Sequence, residues 1–257
     1  MLSLRARLRR LLYPVIGRCG FVRFDVKRDY AQDGLFTVHN DDFRRDPLFR
    51  AAYTRGVEAS RGVDPEFDWR VHVGLWAAAM ALRLPGDFVE CGVNAGFLSS
   101  AIMRRLNWAT LPRRFFLIDT FSGPVFEQFS DEEVRMGKAS LARKLLSQGA
   151  YVTGRERAQT NFAEWPNAIV VQGAVPDILP GLGIDTVAFL HVDMNCAYPE
   201  RAALEHFWNR LSPGALVLFD DYANREYRHQ KLVIDNAARR LGAEVLALPT
   251  GQGLVLR

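Results

Sequence analysis

The feature that most constrains the fold of this chain is a regular alternation of short apolar runs and amphipathic stretches. Strand-length apolar runs lie at residues 87–91, 115–118, 168–171, 186–192 and 216–219. Because such runs are separated by helical stretches, they predict a parallel sheet with helices on both faces. Two last runs, 244–248 and 254–256, are joined by a short turn, which links only antiparallel neighbours. We therefore expect an α/β fold whose sheet is mostly parallel, with one antiparallel strand near the C-terminus.

The first quarter of the chain has a different character. Residues 1–24 contain six arginines and no acidic residue, and Asp46-Pro47 begins a predicted helix. We expect a basic, helical extension over residues 1–67 and one folded domain over 68–257. Apolar residues near the start recur at helical spacing, so the extension either packs on its own domain or contacts an anionic membrane surface. An extension of this kind also favours a homodimer.

Composition narrows the function class. The net charge of +4 comes from the N-terminal arginines, which argues against a nucleic-acid-binding face. Three cysteines, Cys19, Cys91 and Cys196, lie too far apart in sequence for a disulfide framework and favour a reducing compartment. Apolar runs are too short for a signal peptide or a membrane span. The expected location is the cytoplasm.

A glycine turn follows the first predicted strand of the sheet. Gly92 and Gly96 flank a turn that opens a helix, where backbone can approach a ligand and helix amides face it. Asn94 stands where a dinucleotide-binding turn has its second glycine, which argues against a nicotinamide dehydrogenase. Glu90 suits a ligand that carries an ammonium group. The alternative is a structural turn in which Glu90 caps neighbouring amides.

Two later strands end on residues suited to a nucleoside. Asp119 ends the second strand, where an acid accepts the hydroxyls of a ribose, unless it only caps the following segment. Gly173 and Ala174 follow the third strand, and small residues there let an adenine ring lie against the backbone. The long polar segment 122–153, with one predicted helix near 140–146, has the length of a lid or binding loop.

Three carboxylates follow two further strands. Asp193 ends one, and Asp220 and Asp221 end the next. Carboxylates held this close repel one another and require a counter-cation, which is lysine, arginine or a metal. Three oxygen ligands suit Mg²⁺, which keeps its other positions for water or substrate hydroxyls. In the metal-free alternative, Asp193 caps a helix and the other two bind amides in a turn.

The proton acceptor is less clearly marked in the sequence. Asp193 can take a proton itself. His191 lies in the same strand as Asp193, although a histidine inside an apolar run is more often a hydrogen-bonded core residue. His229 follows the acidic pair, where it either reaches the site or faces solvent. These three residues are the catalytic candidates.

The ordered motifs resemble those of a known family. They comprise residues 88–94, 117–123, 173–180, 191–193 and 211–222. Together they are similar to class I S-adenosylmethionine-dependent methyltransferases, which have a Rossmann-like sheet. More narrowly, they resemble the macrocin O-methyltransferase group, which methylates sugar hydroxyls of glycosylated natural products with magnesium. The resemblance covers roughly residues 68–257.

The resemblance implies a role for each motif. The methionine part of S-adenosyl-L-methionine contacts the turn of Glu90, Gly92, Asn94 and Gly96; the ribose contacts Asp119 and Thr120; the adenine contacts Gly173 and Ala174. It also implies that Asp193, Asp220 and Asp221 hold Mg²⁺ and that the acceptor is a sugar or another hydroxylated small molecule.

The chain departs from the family after Asp193. Metal-dependent small-molecule methyltransferases commonly carry a lysine three residues after the first acid, and Cys196 stands there. The macrocin-like group usually has a second acid and a tyrosine soon after that acid, whereas this chain has Met194-Asn195-Cys196-Ala197-Tyr198. The base therefore stays open. The alternative functions are a metal-independent methyltransferase and a non-catalytic binding protein of the same fold.

Overall fold

The structure, a computed structural model, describes residues 30–257, which fall into two compact units, 30–41 and Asp42–Arg257. The first unit contains a hairpin of β1 (Tyr30–Gln32) and β2 (Leu35–Thr37). Its turn, Asp33-Gly34, has positive φ at both residues, as a two-residue hairpin turn requires. The extension that we expected to be helical therefore also contains a short hairpin, and its boundary at residue 67 stays a prediction. The expected membrane contact falls on residues 1–24, outside the described part, and the homodimer stays a prediction.

The second unit is built on a seven-stranded sheet. Its strands are β3 (Asp87–Cys91), β4 (Phe115–Asp119), β5 (Ala168–Gln172), β6 (Val187–Val192), β7 (Leu211–Phe219), β8 (Leu246–Ala247) and β9 (Gly253–Leu256). The order is β5-β4-β3-β6-β7-β9-β8. Strands β3 to β7 pair in parallel, while β9 pairs antiparallel with both β7 and β8. The predicted sheet, with one reversed strand near the C-terminus, is confirmed.

Helices cover both faces of this sheet. They are α1 (Pro47–Ala59), α2 (Asp68–Ala81), α3 (Phe97–Leu106), α4 (Asp131–Arg135), α5 (Lys138–Ser147), α6 (Arg155–Phe162), α7 (Ala197–Phe207) and α8 (Arg228–Arg240). Two buried clusters lie on opposite faces. Phe88 and Phe189 point into one, and their strand neighbours Val89 and Leu190 into the other. Burial on both faces explains why these strands read as continuous apolar runs.

The strand order indicates where the ligand cleft lies. From β3 the chain builds outward through β4 and β5, and then returns to place β6 and β7 on the other side. In such sheets the crevice opens where the order reverses, at the carboxyl ends of the central strands. Those ends are the glycine turn after β3 and Asp193 after β6.

The long segment 122–153 contains more structure than predicted. It forms α4 and α5 where one helix was expected near 140–146. Ser130 and Glu133 form a reciprocal capping box at the start of α4. Glu133 is fully buried, and its Oε1 accepts the amide of Ala197 at 2.9 Å, so the segment is joined to the start of α7.

Within residues 30–257, none of the helices combines the length and apolar character needed to cross a bilayer.

Candidate active site

The glycine turn joins the ends of β3 and β6. Gly92 has φ +90°, and a Cβ placed on it would lie 1.8 Å from the carbonyl oxygen of Asp193. No side chain fits there, so glycine is required for the two strand ends to meet. Gly96, with φ +80°, instead packs against the ring of Phe162, which would lie 2.3 Å from a Cβ at that position. Gly92 lines the cleft, whereas Gly96 supports the turn through packing.

Asn94 connects the glycine turn to segment 122–153. Its Nδ2 donates to the carbonyl of Ala150 at 3.1 Å, and its Oδ1 accepts the amide of Val152 at 2.8 Å. The residue has φ +50°, a conformation that asparagine tolerates better than most residues. Both polar ends of the side chain are thus used within the protein. Asn94 also lines the cleft, and its contact with a cofactor stays a prediction.

Asp119 holds the loops around the cleft. Its Oδ2 accepts the amides of Val93 at 2.7 Å and Asn94 at 2.9 Å, and its Oδ1 accepts the amide of Phe121 at 2.7 Å. The Thr120 hydroxyl donates to the carbonyl of Gly123 at 2.6 Å. The carboxylate therefore caps amides on two loops, as the structural alternative expected. Asp119 and Thr120 both line the cleft, and their role toward ribose stays a prediction.

The third strand ends beside the same cleft. Gly173 lines it, and its amide donates to the Asp119 carbonyl at 2.9 Å. A Cβ on Gly173 would lie 2.8 Å from the Ile178 side chain, so a small residue is required for packing there. Ala174 follows, with its carbonyl accepting the amide of Ile178. The adenine contact of both residues stays a prediction.

Glu90 and His191 form a buried pair across neighbouring strands. Glu90 Oε1 lies 2.9 Å from His191 Nδ1, and the residues are 3% and 2% exposed. Burial alone lowers the pKa of His191, but the hydrogen bond and charge of Glu90 outweigh it and raise the pKa. Among the described residues, Glu90 Oε2 has no hydrogen-bond partner. A buried carboxylate oxygen of this kind fits the ammonium group of a ligand.

The three predicted acids do come together. Asp193, Asp220 and Asp221 each offer an oxygen, and these oxygens lie within 4.8 Å of one another. Ligands on opposite sides of a Mg²⁺ octahedron lie about 4 Å apart, so the set fits the ion after a small shift. Burial and the two neighbouring acids raise the pKa of Asp193 well above its ordinary value. The cluster is therefore short of positive charge.

Arg70 supplies part of that charge, and the sequence did not mark it. Its Nη1 lies 2.7 Å from Asp220 Oδ2 and 3.0 Å from Asp221 Oδ1. It reaches them from α2. In the part of the chain that is described, Asp193 forms no ion pair with lysine or arginine, and its Oδ1 accepts only the Asn195 side-chain amide at 3.1 Å. Arg70 thus forms ion pairs with two of the three carboxylates and leaves Asp193 without one within residues 30–257.

A fourth acid orders the loop after β6. Glu200 is 1% exposed, and its Oε1 accepts the amides of Met194 at 3.0 Å and Asn195 at 2.9 Å. Its Oε2 accepts from the Gln230 side chain at 2.8 Å. Burial raises the pKa of Glu200 to about 8. Nothing in the sequence spacing distinguishes this glutamate from the other acids of α7.

Three further residues near the site, Tyr151, Lys138 and Tyr227, lie in segments that carry no motif. Tyr151 lines the cleft, and Lys138 lies over the ring of Tyr227, with 2.7 Å between Nζ and the ring centroid. His229 is the second residue of α8, is half-buried, and is not among the residues that line the cleft. Its catalytic role stays a prediction without a contact to support it.

Comparison with known proteins agrees with this geometry. Residues 89–222 match the family described as "Methyltransferase domain". A curated relative from Streptomyces olivaceus, 8-demethyl-8-(2,3-dimethoxy-alpha-L-rhamnosyl)-tetracenomycin-C 4'-O-methyltransferase, is 31% identical over 154 residues. That match covers 56% of this chain and 56% of the relative, so it spans little more than half the length of either.

Solved structures show the same fold at low identity. The O-methyltransferase NovP has a TM-score of 0.65 at 18% identity, over 85% of this chain and 99% of NovP. The calicheamicin methyltransferase CalS11 has a TM-score of 0.52 at 16% identity, over 86% of this chain and 98% of CalS11.

The resemblance carried by the ordered motifs is confirmed at the level of the family. The matched region includes the glycine turn, Asp119 and all three clustered acids. The sheet order and the cleft at its reversal point agree with that assignment. The chain therefore belongs to the methyltransferase domain family, with the class I fold of S-adenosylmethionine-dependent enzymes.

Proposed function

We propose that this protein transfers the methyl group of S-adenosylmethionine to a hydroxyl oxygen of a sugar or sugar-bearing small molecule. We further propose that Mg²⁺, held by Asp193, Asp220 and Asp221, binds that hydroxyl. The observation that carries the proposal is the close packing of the glycine turn on Asp193, because it sets a donor site beside the three acids. The rhamnosyl group in the name of the curated relative supports a sugar acceptor.

The donor side is proposed from the contacts around the turn. Glu90 Oε2, buried and without a partner in residues 30–257, receives the ammonium of the methionine part. Gly92 lets that part lie against the backbone. The cleft then continues past Asp119 and Thr120 to Gly173, where the ribose and adenine bind. This direction follows the carboxyl edge of the sheet from β6 toward β5.

The acceptor side must align an oxygen behind the methyl group. Methyl transfer from a sulfonium is an in-line displacement, and alignment at near contact supplies much of the rate. A divalent cation supplies Lewis acidity, which lowers the pKa of a bound hydroxyl and fixes its position. The carboxylates of this chain orient that cation, while Arg70 limits the repulsion between Asp220 and Asp221.

The proposal is tested by incubating the purified protein with S-adenosylmethionine and 4-nitrophenyl α-L-rhamnopyranoside, with 4-nitrophenol and catechol as sugar-free controls. We expect S-adenosylhomocysteine and a methyl ether of the rhamnoside by mass spectrometry with MgCl₂, and neither product with EDTA. Methylation of catechol alone would exclude the sugar preference. A protein that binds no S-adenosylmethionine would exclude the donor site.

One observation favours a second candidate, a metal-independent methyltransferase. Arg70 already pairs with two of the three acids, so the cluster is partly neutralised without an ion. In that case transfer is indifferent to EDTA and survives Asp220→Asn. The same assay therefore separates the two candidates.

A further inference from the structure

Lys138 has an unusual position for a lysine. It is the first residue of α5, directly after Gly137. Its Nζ is buried, and in the described part of the chain it has no hydrogen-bond partner. A buried ammonium without a hydrogen bond is costly, and the positive end of the helix dipole disfavours a cation at this position. Burial therefore favours the neutral amine, whereas the face of the Tyr227 ring favours the ammonium.

Several elements face the Lys138 amine. Its Nζ lies over the ring of Tyr227, which follows the acidic pair in sequence. Four charged or titratable groups affect the pKa of Lys138. They are Asp221 in the loop after β7, Glu133 in α4, Glu200 in α7, and Cys196, which directly precedes α7. All four favour the ammonium, but burial is the largest effect, and it lowers the pKa of Lys138 to about 8.

The same neighbours place Lys138 at the acidic cluster. Burial and the charges of Asp221 and Asp193 raise the pKa of Tyr227. The ring is also the surface on which Lys138 lies. Segment 122–153 thus contributes an amine on which the charge of Asp221 acts, together with Tyr151, which lines the cleft and whose pKa is raised by burial and by Asp193.

We propose that Lys138 is the base that accepts the proton of the acceptor hydroxyl. The inference rests on the proposed function. In the step, the acceptor oxygen forms a bond to the methyl carbon, and the bond from that carbon to the sulfonium breaks with its electron pair staying on sulfur. The hydroxyl proton moves to the lone pair of the Lys138 amine. The products are a methyl ether, a neutral thioether and an ammonium, which returns its proton to solvent.

The other candidates are less suited to this task. His191 is 2% exposed, and its Nδ1 is already engaged by the buried carboxylate of Glu90. The Cys196 thiol donates to the Gln128 carbonyl at 3.3 Å, and burial raises its pKa to about 12. Asp193 loses basicity when it binds a cation. An amine with a pKa of about 8 is half unprotonated at pH 8 and about a tenth unprotonated at pH 7, so Lys138 can accept a proton near working pH.

The variants Lys138→Met and Lys138→Arg test the inference, with Lys144→Met as the matched control on the exposed side of α5. The assay uses 4-nitrophenyl α-L-rhamnopyranoside with S-adenosylmethionine and MgCl₂. We expect kcat to fall by about 10²- to 10⁴-fold in both Lys138 variants, the range for loss of a general base. The Kd for S-adenosylmethionine and the Tm should stay near those of the wild type, and Lys144→Met should retain full kcat.

Two readouts separate a base from a residue that only packs. In the wild type, log kcat should rise with pH and level off above about pH 8, and the rise should be absent in Lys138→Met. In NMR spectra of protein labelled with [ε-¹³C]lysine, the signal lost in Lys138→Arg should titrate near pH 8 rather than above 10 in the wild type. This titration needs neither an acceptor nor a folded Met variant.

The outcomes separate the two proposals. A wild type that methylates the rhamnoside alongside a Lys138→Met variant of equal kcat overturns the inference and leaves the function standing. A Lys138 signal that titrates above pH 10 also overturns the inference. A wild type that methylates no acceptor overturns the proposed function, and the inference with it.

Discussion

The carboxylates at the two ends of the cleft are stabilised by different kinds of partner. At the donor end, Asp119 accepts three backbone amides at 2.7 to 2.9 Å, all from its own chain. At the acceptor end, Asp193 accepts one side-chain amide and lies next to Asp220 and Asp221. Burial and these neighbours raise the pKa of Asp193. The carboxylate of Asp119 is thus satisfied as folded, whereas the three acids of the acceptor end lack positive charge.

The difference shows how each end is built. Backbone amides are dipoles that the fold supplies wherever a turn places them, so a carboxylate among them is stabilised without a partner ion. A cluster of three acids is stabilised only by cations, and Arg70 reaches two of them. Changes at the donor end should therefore alter folding, and changes at the acceptor end should alter ion binding and turnover.

The contact that joins the two ends should give the largest effect. Gly92→Ala would place a methyl group 1.8 Å from the Asp193 carbonyl at a positive φ. We expect a loss of about 4 kcal/mol or more in the free energy of unfolding. Urea unfolding measures it. Gly242→Ala is the matched control, because Gly242 has φ +73° with nothing within 4 Å, and should lose only about 1 kcal/mol.

If the acceptor end is short of positive charge, Asp193→Asn should stabilise the metal-free protein, because it removes a buried repulsion. It should also remove most of the increase in Tm that MgCl₂ gives the wild type, and reduce kcat by roughly a hundredfold or more. Thermal unfolding with EDTA and with MgCl₂ separates these effects. Asp131→Asn, at an exposed acid, should change neither; a metal-free Asp193→Asn that melts earlier would contradict the comparison.

A smaller effect should appear in the pH dependence of stability. The pKa of Glu200 is raised to about 8 in the folded protein, above its unfolded value. The folded state therefore binds more protons between those values, so stability falls as pH rises from about 5 to 8. Glutamine does not titrate, so Glu200→Gln should reduce this loss of stability by about 1 to 2 kcal/mol in EDTA. Its side-chain oxygen still accepts the amides of Met194 and Asn195, so the loop is kept.

The side-chain amide introduced by Glu200→Gln can be accommodated by a change in one neighbouring side chain. Gln230 Oε1 is buried and has no hydrogen-bond partner among the residues described, and a flip of the Gln230 amide would present it to the new donor. An equally steep decline in Glu200→Gln would mean that another group, such as Asp193, dominates the pH dependence.

The smallest effect is expected from Asn94→Gly, which removes two hydrogen bonds to residues 150–152 while allowing the positive φ. The global free energy of unfolding should fall by about 1 kcal/mol. Hydrogen exchange at the Val152 amide should speed up about tenfold, with the amide of Phe121 unchanged. Equal loss of protection at both amides would mean that Asn94 supports the whole donor end.

The features that the sequence predicted are those set by the ends of strands. Asp193, Asp220 and Asp221 were expected to meet because the carboxyl ends of neighbouring parallel strands share one edge. The parallel strands of the sheet and the reversed β9 were expected from the same apolar runs. Periodicity and position sufficed for these residues.

The rest depended on contacts between distant segments. Arg70 pairs with acids 150 and 151 residues later in the chain, and no local pattern connects them. Lys138, at the start of α5, and Tyr227, directly before α8, likewise meet although neither belongs to a motif. Asn94 was interpreted as a departure from the dinucleotide-binding turn and as a cofactor contact, and the sequence did not indicate that its side chain holds another loop. Tertiary packing decided each of these contacts.

The contact of Gly92 with the Asp193 carbonyl also limits how this protein can be engineered. Recombining the donor half of one relative with the acceptor half of another requires the β3 and β6 ends to meet at the same spacing, since no side chain can compensate at that point. Acceptor preference is better altered in segment 122–153, which contributes Lys138 and Tyr151 yet is inserted between β4 and β5. Exchange of that segment between relatives would leave the sheet and its central junction intact.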